Sequence, residues 1–148
     1  MDDDMRPGEI SVAVPAEFDA GLYFIGRILT PWSSRAECPR RGALDGPLCR
    51  IEVDERWRPA LRGLEGRRFI QVLYFMHQAR RDLLVQTPRG RDAALGTFAL
   101  RSPVRPNPIA SSVVQIEAIE HGTVVARGFD CLDGTPLIDI KPDRCPHS

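Results

Sequence analysis

Nineteen of the twenty basic residues are arginine, and Lys141 is the single lysine. So uniform a preference reads as a compositional bias, not as nineteen functional signals. Apolar runs are short: the longest apolar-rich stretch, Phe69 to Met76, is far below the roughly 20 residues a membrane-crossing helix needs. The chain opens Met-Asp-Asp-Asp and lacks the basic and apolar regions of a secretory signal. The expected location is therefore the cytoplasm, with no membrane partner. Four cysteines, Cys38, Cys49, Cys131 and Cys145, form no CxxC pair, and without a secretory signal they read as reduced thiols. A zinc set of Cys38, Cys49, Cys145 and His147 matches no standard ligand spacing, so no metal is expected.

Nucleotide-binding glycine signatures are missing too. There is no G-x-G-x-x-G and no Walker loop, and the G-x-S-x-G of hydrolase nucleophile elbows is missing as well. Nor do helical and strand patterns alternate as βαβ units. A Rossmann dinucleotide fold and the doubly wound methyltransferase architecture are thereby disfavoured.

What is present fits one ordinary globular domain. The chain has 148 residues, 43% hydrophobic and 27% charged, with zero formal net charge. Charge is unevenly spread. From Arg50 to Arg105 twelve arginines face six acidic residues, a local +6, and the flanks carry −3 each. A basic middle suits phosphate contact or a solvated surface.

Residues 22–30 and 49–53, rich in β-branched and aromatic types, read as strands separated by a long polar loop from Pro31 to Pro47. Arg58 to Leu64 reads as a short helical turn, and Phe69 to Met76 as a buried strand. Residues 79–93 read as loop and 96–100 as a short strand. Further strands are expected at 112–119, 124–129 and 137–140, with a His121-Gly122 turn and a hairpin-type Asp133-Gly134 turn. Many short strands with close turns predict a mainly β fold, a compact antiparallel barrel-like domain with short helices and long loops. Residues 1–21 are expected as a flexible start, 22–142 as the domain and 143–148 as a tail.

The most informative segment is Arg101-Ser-Pro-Val-Arg-Pro-Asn-Pro108. Its three prolines fix φ, remove backbone donors and bias the preceding residues toward extended conformations. The expectation is a stiff loop with exposed carbonyls that presents two arginines and an asparagine to an anionic or multidentate ligand.

This segment, with Phe98 before it and Ile109 and Ser112-Val-Val after it, resembles the signature of the TrmO-like (TsaA/YaeB-like) family. Other blocks resemble the family in the same order: Ile25-Gly-x-Ile-x-Thr-Pro31, Cys38-Pro-Arg40, Ala60-Leu-Arg-Gly-Leu-Glu-Gly66, Phe75-x-His77-Gln78, Asp133-Gly-Thr-Pro136 and Asp139-Ile-Lys-Pro142. The chain departs from the family pattern at Arg41, often Gln, at Ala110, typically Gly, and at Asp143, typically Tyr. A block usually containing His and Trp reads Arg67-Arg-Phe-Ile-Gln71.

The resemblance implies an S-adenosylmethionine-binding barrel that pairs as a homodimer. It also implies methyl transfer to the exocyclic nitrogen of threonylcarbamoyl-adenosine beside the tRNA anticodon. Residues matching the family's donor-facing blocks are Pro39, Arg40, Arg41, His77, Gln78, Arg101, Ser102, Arg105, Asn107, Leu132, Asp133, Gly134, Thr135 and Pro136. His77 and Asp133 are candidates to remove the acceptor's proton. Arg80, Arg81, Arg89 and Lys141 are candidate RNA contacts.

Each assignment has a structural alternative. His77 at a strand end can be a hydrogen-bonded core residue. Asp133-Gly-Thr-Pro is a sound turn without any ligand. Asp139 and Lys141 can form a simple ion pair, and Arg101 and Arg105 can clamp the loop's own carbonyls. Three functions stay open: the tRNA methyltransferase, a methyltransferase with a small-molecule acceptor, and a binding module without catalysis.

Overall fold

The computed structural model describes residues 5–143. In chain order the strands are β1 (Ile10–Ser11), β2 (Gly26–Leu29), β3 (Cys49–Val53), β4 (Phe69–Phe75), β5 (Leu83–Gln86), β6 (Leu95–Gly96), β7 (Ile109–Glu120), β8 (Thr123–Arg127) and β9 (Thr135–Pro142). They belong to two units, one formed by Met1–Gly21 with His77–Pro108, the other by Leu22–Met76 with Ile109–Ser148.

The second unit is a closed antiparallel barrel in the order β2-β3-β8-β7-β4-β9. Closure pairs every strand on both sides, which removes exposed edges. Alternation along the strands fills the interior. Cys49, Ile51 and Val53 of β3, Ile70, Val72 and Tyr74 of β4, and Val124 and Ala126 of β8 all point into one core with Ile28, Val114, Phe129, Cys131 and Leu137. Burying each large aliphatic side chain stabilises the fold by about 1.5–3 kcal/mol. The mainly β class and the barrel expected from the strand pattern are thus both present.

Turn chemistry follows the sequence closely at one hairpin. His121 and Gly122 have φ of 47° and 82°, and they join β7 to β8, which pair from Glu120 and Thr123. Two left-handed residues make the type I′ geometry whose twist matches paired strands.

The Asp133-Gly134 turn differs from expectation. It precedes β9, but β8 and β9 are not neighbours in the barrel, so it closes no hairpin. Instead the Gly134 N–H donates to the Ile28 carbonyl at 2.8 Å, and the next residue, Thr135, pairs with Ile28. The turn sets the register of β9 on β2. The helical turn is also displaced, to a 3₁₀ segment over Glu55–Leu61 that contains Pro59.

The first unit holds a three-stranded sheet, β1-β5-β6. β5 lies inside a stretch expected to be loop. Its four residues, Leu83-Leu84-Val85-Gln86, sit between Arg80-Arg81-Asp82 and Thr87-Pro88, so the apolar run is too short, between polar flanks, to read as a strand. Pairing with β1 and β6 makes it one. The strand expected over 96–100 is mostly a 3₁₀ turn, Thr97–Ala99, closed by the Leu100 N–H on the Thr97 carbonyl. Residues 6–12, expected within a flexible start, are tied to β5 and its flank. Arg6 donates to the Thr87 carbonyl at 2.8 Å, Glu9 accepts the Thr87 N–H at 2.8 Å, and the Val12 N–H donates to the Asp82 carbonyl at 2.7 Å.

Candidate functional site

The candidate donor-facing residues fall into two groups. Pro39, Arg40, Arg41 and Leu132 to Pro136 belong to the barrel unit; His77, Gln78, Arg101, Ser102, Arg105 and Asn107 belong to the other.

In the barrel unit, Asp133 is held by its backbone and its side chain. Its N–H donates to the Trp32 carbonyl at 2.8 Å, and its Oδ1 accepts the Thr30 N–H at 3.0 Å. The Thr30 hydroxyl donates to the Cys131 carbonyl at 2.8 Å. Leu132 and Thr135 are buried, and the Thr135 hydroxyl closes the turn on the Leu132 carbonyl at 2.6 Å. Asp133 therefore has a structural duty whatever else it does. Farther along, Gly42 rests against the Gly128 carbonyl so closely that a Cβ would overlap it. Trp32 and Gly42 thus anchor the long loop to the 128–134 segment on either side of Pro39, Arg40 and Arg41, which are all exposed.

Beneath this segment lies a polar chain that the sequence does not reveal. The Tyr74 hydroxyl donates to Asp130 Oδ1 at 3.0 Å and lies 2.7 Å from Ser112 Oγ. A tyrosine has one hydroxyl proton, and the carboxylate can only accept. The order is therefore Ser112 to Tyr74 to Asp130. Burial, with the Asp130 charge added, pushes the Tyr74 phenol far above its ordinary value. These three residues lie far apart in the chain, and Tyr74 occupies an ordinary inward position of β4. No local signal marks them.

The thiols are held neutral. Burial pushes Cys49 up to about 11 and Cys131 up to about 12. Cys38 is also raised by burial, with Asp130 contributing. Cys145 and His147, the other members of the zinc set drawn from the sequence, lie outside the described residues.

In the first unit the proline-rich loop is organised by donors on its own carbonyls. Arg105 Nη1 donates to the Leu100 carbonyl at 2.9 Å and the Ser102 carbonyl at 3.0 Å. Gln86 Nε2 donates to the Val104 carbonyl at 2.7 Å, and Arg81 Nε to the Pro106 carbonyl at 2.7 Å. The expectation of exposed carbonyls thus fails at three positions of the 101–108 segment, Ser102, Val104 and Pro106, because a proline-rich segment lacking a ladder finds side-chain donors instead. Arg105 is a clamp on the loop, and Ser102 Oγ accepts the Val104 N–H at 3.2 Å. His77, Gln78 and Arg101 are exposed.

The candidate RNA contacts are engaged unequally. Arg80 grips Asp82 with two bonds of 2.7 and 3.0 Å, and this pairing holds the Asp82 carboxyl below its ordinary value. Arg81 is spent on the loop and stacks 4.9 Å above the Phe18 ring. Lys141 pairs with Asp139 at 2.9 Å. Arg89 is exposed, in the turn that the Arg91 N–H closes on the Pro88 carbonyl.

Two open clefts on the barrel unit, about 490 and 800 Å³, include none of the candidate residues.

Comparisons with known proteins agree on one family. The chain is 49% identical over 140 residues to "Probable S-adenosyl-L-methionine-binding protein VirR" of Rhizobium radiobacter, covering 95% of this chain and 80% of that one. It is 38% identical over 117 residues to an "S-adenosyl-L-methionine-binding protein" of Archaeoglobus fulgidus, covering 79% and 84%. A crystal structure of TrmO from Pseudomonas aeruginosa superposes with a TM-score of 0.70 at 32% identity, covering 88% of this chain and 58% of that chain. Residues 27–144 match the model of the tRNA-methyltransferase O N-terminal domain. The chain belongs to the TrmO amino-terminal-domain family.

Proposed function

We propose that the chain is an S-adenosylmethionine-dependent methyltransferase acting on threonylcarbamoyl-adenosine beside the tRNA anticodon. The observation that carries this reading is the family match over 27–144. Relatives named for S-adenosylmethionine binding support the donor, and the basic middle of the sequence supports an RNA acceptor. We also propose a cytoplasmic homodimer.

In this reaction the sulfonium methyl passes to the acceptor nitrogen. The C–S bond breaks as the N–C bond forms, the thioether S-adenosylhomocysteine leaves, and the nitrogen's proton is lost to a base. The sulfonium is already a good leaving group, so most of the catalytic task is in-line positioning. A rigid loop whose carbonyls are capped internally suits that task. His77, exposed and next to Gln78, and Asp133 are the proposed proton acceptors. Arg40 and Arg41 of the barrel unit are the proposed contacts to the donor's carboxylate.

The second reading, a binding protein without this acceptor, is favoured by the two relatives described above, which are named for S-adenosylmethionine binding and not for methyl transfer. One experiment separates the two: titration with S-adenosylmethionine, then addition of tRNA bearing threonylcarbamoyl-adenosine, with mass analysis of its nucleosides. Binding followed by a gain of one methyl on that nucleoside is the expected result. Binding without it would establish the second reading, and no binding would remove both.

A further inference from the structure

Arg81 does more than cap a carbonyl. Its Nη2 lies 3.2 Å from Asn107 Oδ1 while its Nε holds the Pro106 carbonyl at 2.7 Å. A guanidinium can only donate. The Asn107 atom facing it must therefore be the oxygen, which settles an amide orientation that shape alone leaves ambiguous. The Nδ2 amino group is turned to the opposite side of the amide. Asn107 is exposed, and Arg81 Nη2 is the only hydrogen-bond partner of its side chain among the described residues. The loop beneath is fixed by Arg105 and Gln86, and Pro108 beside it is buried. An asparagine that ordinarily can present either end of its amide here turns its Nδ2 donors away from Arg81, with its oxygen already engaged by a guanidinium whose positive field favours an anion.

We propose that Asn107 is a dedicated hydrogen-bond donor to a ligand carboxylate, and that Arg81 is the positioning residue that fixes its polarity. This rests on the proposed function, in which two carboxylates are present: that of the methionine part of the methyl donor and that of the threonyl group on the acceptor nucleoside. Arg81 then serves substrate binding indirectly and is not an RNA contact.

The test uses Asn107→Asp. The variant keeps an oxygen for Arg81 and keeps the shape, but it removes the donor and adds a negative charge. Its thermal midpoint should equal or exceed the parent's. Affinities of parent and variant are measured for S-adenosylmethionine, for methylthioadenosine, which lacks the amino-acid carboxylate, and for tRNA with and without the threonylcarbamoyl group. Loss of a charge-assisted bond corresponds to roughly 10- to 100-fold. A loss of that size for S-adenosylmethionine, with methylthioadenosine unchanged, assigns Asn107 to the donor's carboxylate. The same loss confined to the modified tRNA assigns it to the acceptor's carboxylate. Equal loss for S-adenosylmethionine and methylthioadenosine, or no loss for any ligand, overturns the inference while leaving the proposed function standing. A parent protein that binds neither S-adenosylmethionine nor the modified tRNA sinks both.

Arg81→Lys supplies the second arm. It keeps the charge but loses the fork that holds Pro106 and Asn107 together. The same selective loss is expected, whereas a merely structural role would weaken all ligands alike.

Discussion

Gln86, only 6% exposed, joins two parts of the first unit through one nitrogen: its Nε2 donates to the Val104 carbonyl at 2.7 Å and to Thr97 Oγ1 at 2.8 Å. Thr97 in turn donates to the Leu83 carbonyl at 2.7 Å. A buried amide that completes such a network costs more to lose than one bond is worth, because its partners stay buried and unpaired. Gln86→Leu should destabilise the protein by about 2–4 kcal/mol, read as a drop in denaturant midpoint. A change below the error of the measurement would refute the role assigned to this network.

Tyr74→Phe removes a hydroxyl and keeps the ring packed on Phe129, whose centroid lies 5.9 Å away. Asp130 and Ser112 would lose the bond to the phenol, at an expected cost of about 1–3 kcal/mol. A second signature is alkaline. The folded-state phenol sits far above the unfolded value of 10.0, so the folded state holds this proton more tightly. The resulting stability is fully present below about pH 10 and is lost as pH rises beyond it. Of the two tyrosines in the chain, Tyr74 should show no tyrosinate absorbance until the protein unfolds in alkali. A reversible native step from both would contradict this.

Asp133 offers a way to separate structure from chemistry. Asparagine can still accept the Thr30 N–H through an oxygen, whereas alanine cannot. Asp133→Ala should lose about 1–2 kcal/mol of stability, and Asp133→Asn much less. If the carboxylate also accepts the acceptor's proton, as proposed, then Asp133→Asn should cut methyl transfer by about 100-fold or more at unchanged melting temperature. Full transfer by the Asn variant would leave Asp133 a structural residue only.

Thiol labelling tests the burial of the barrel cysteines. A thiolate is the reactive form, and burial holds Cys49 near about 11 and Cys131 near about 12. Native protein at neutral pH should therefore leave both unmodified by iodoacetamide, as read by peptide mass analysis, and denaturant should expose both. Labelling of Cys131 in the native state would mean that the core opens far more readily than its packing implies.

The strands of the barrel were readable in advance wherever their pattern is local. β3 spans the very residues expected, and β4 differs by one at its end, because apolar and β-branched types alternate or run unbroken over strand length. The His121-Gly122 turn was also legible, since two left-handed residues favour such a pair. β5 was not, because four residues between polar neighbours carry too little periodicity, and their partners come from distant segments. The hairpin expected at Asp133-Gly134 failed for a related reason: turn chemistry specifies a reversal but not which strand receives it.

By itself, the sequence determined the strand-rich character, the stiffness of the 101–108 loop and the family, because proline geometry, side-chain alternation and ordered motifs are properties of neighbouring residues. Tertiary structure alone decided what each polar group in those motifs faces. Arg81 became an organiser of Asn107, while Asp133 became a strap on Thr30, just past β2, and Tyr74 a donor to Asp130. The physical reason is that a hydrogen bond needs a partner within about 3 Å, and the partners of Gln86, Tyr74 and Asp133 arrive only when segments far apart in the chain are brought together.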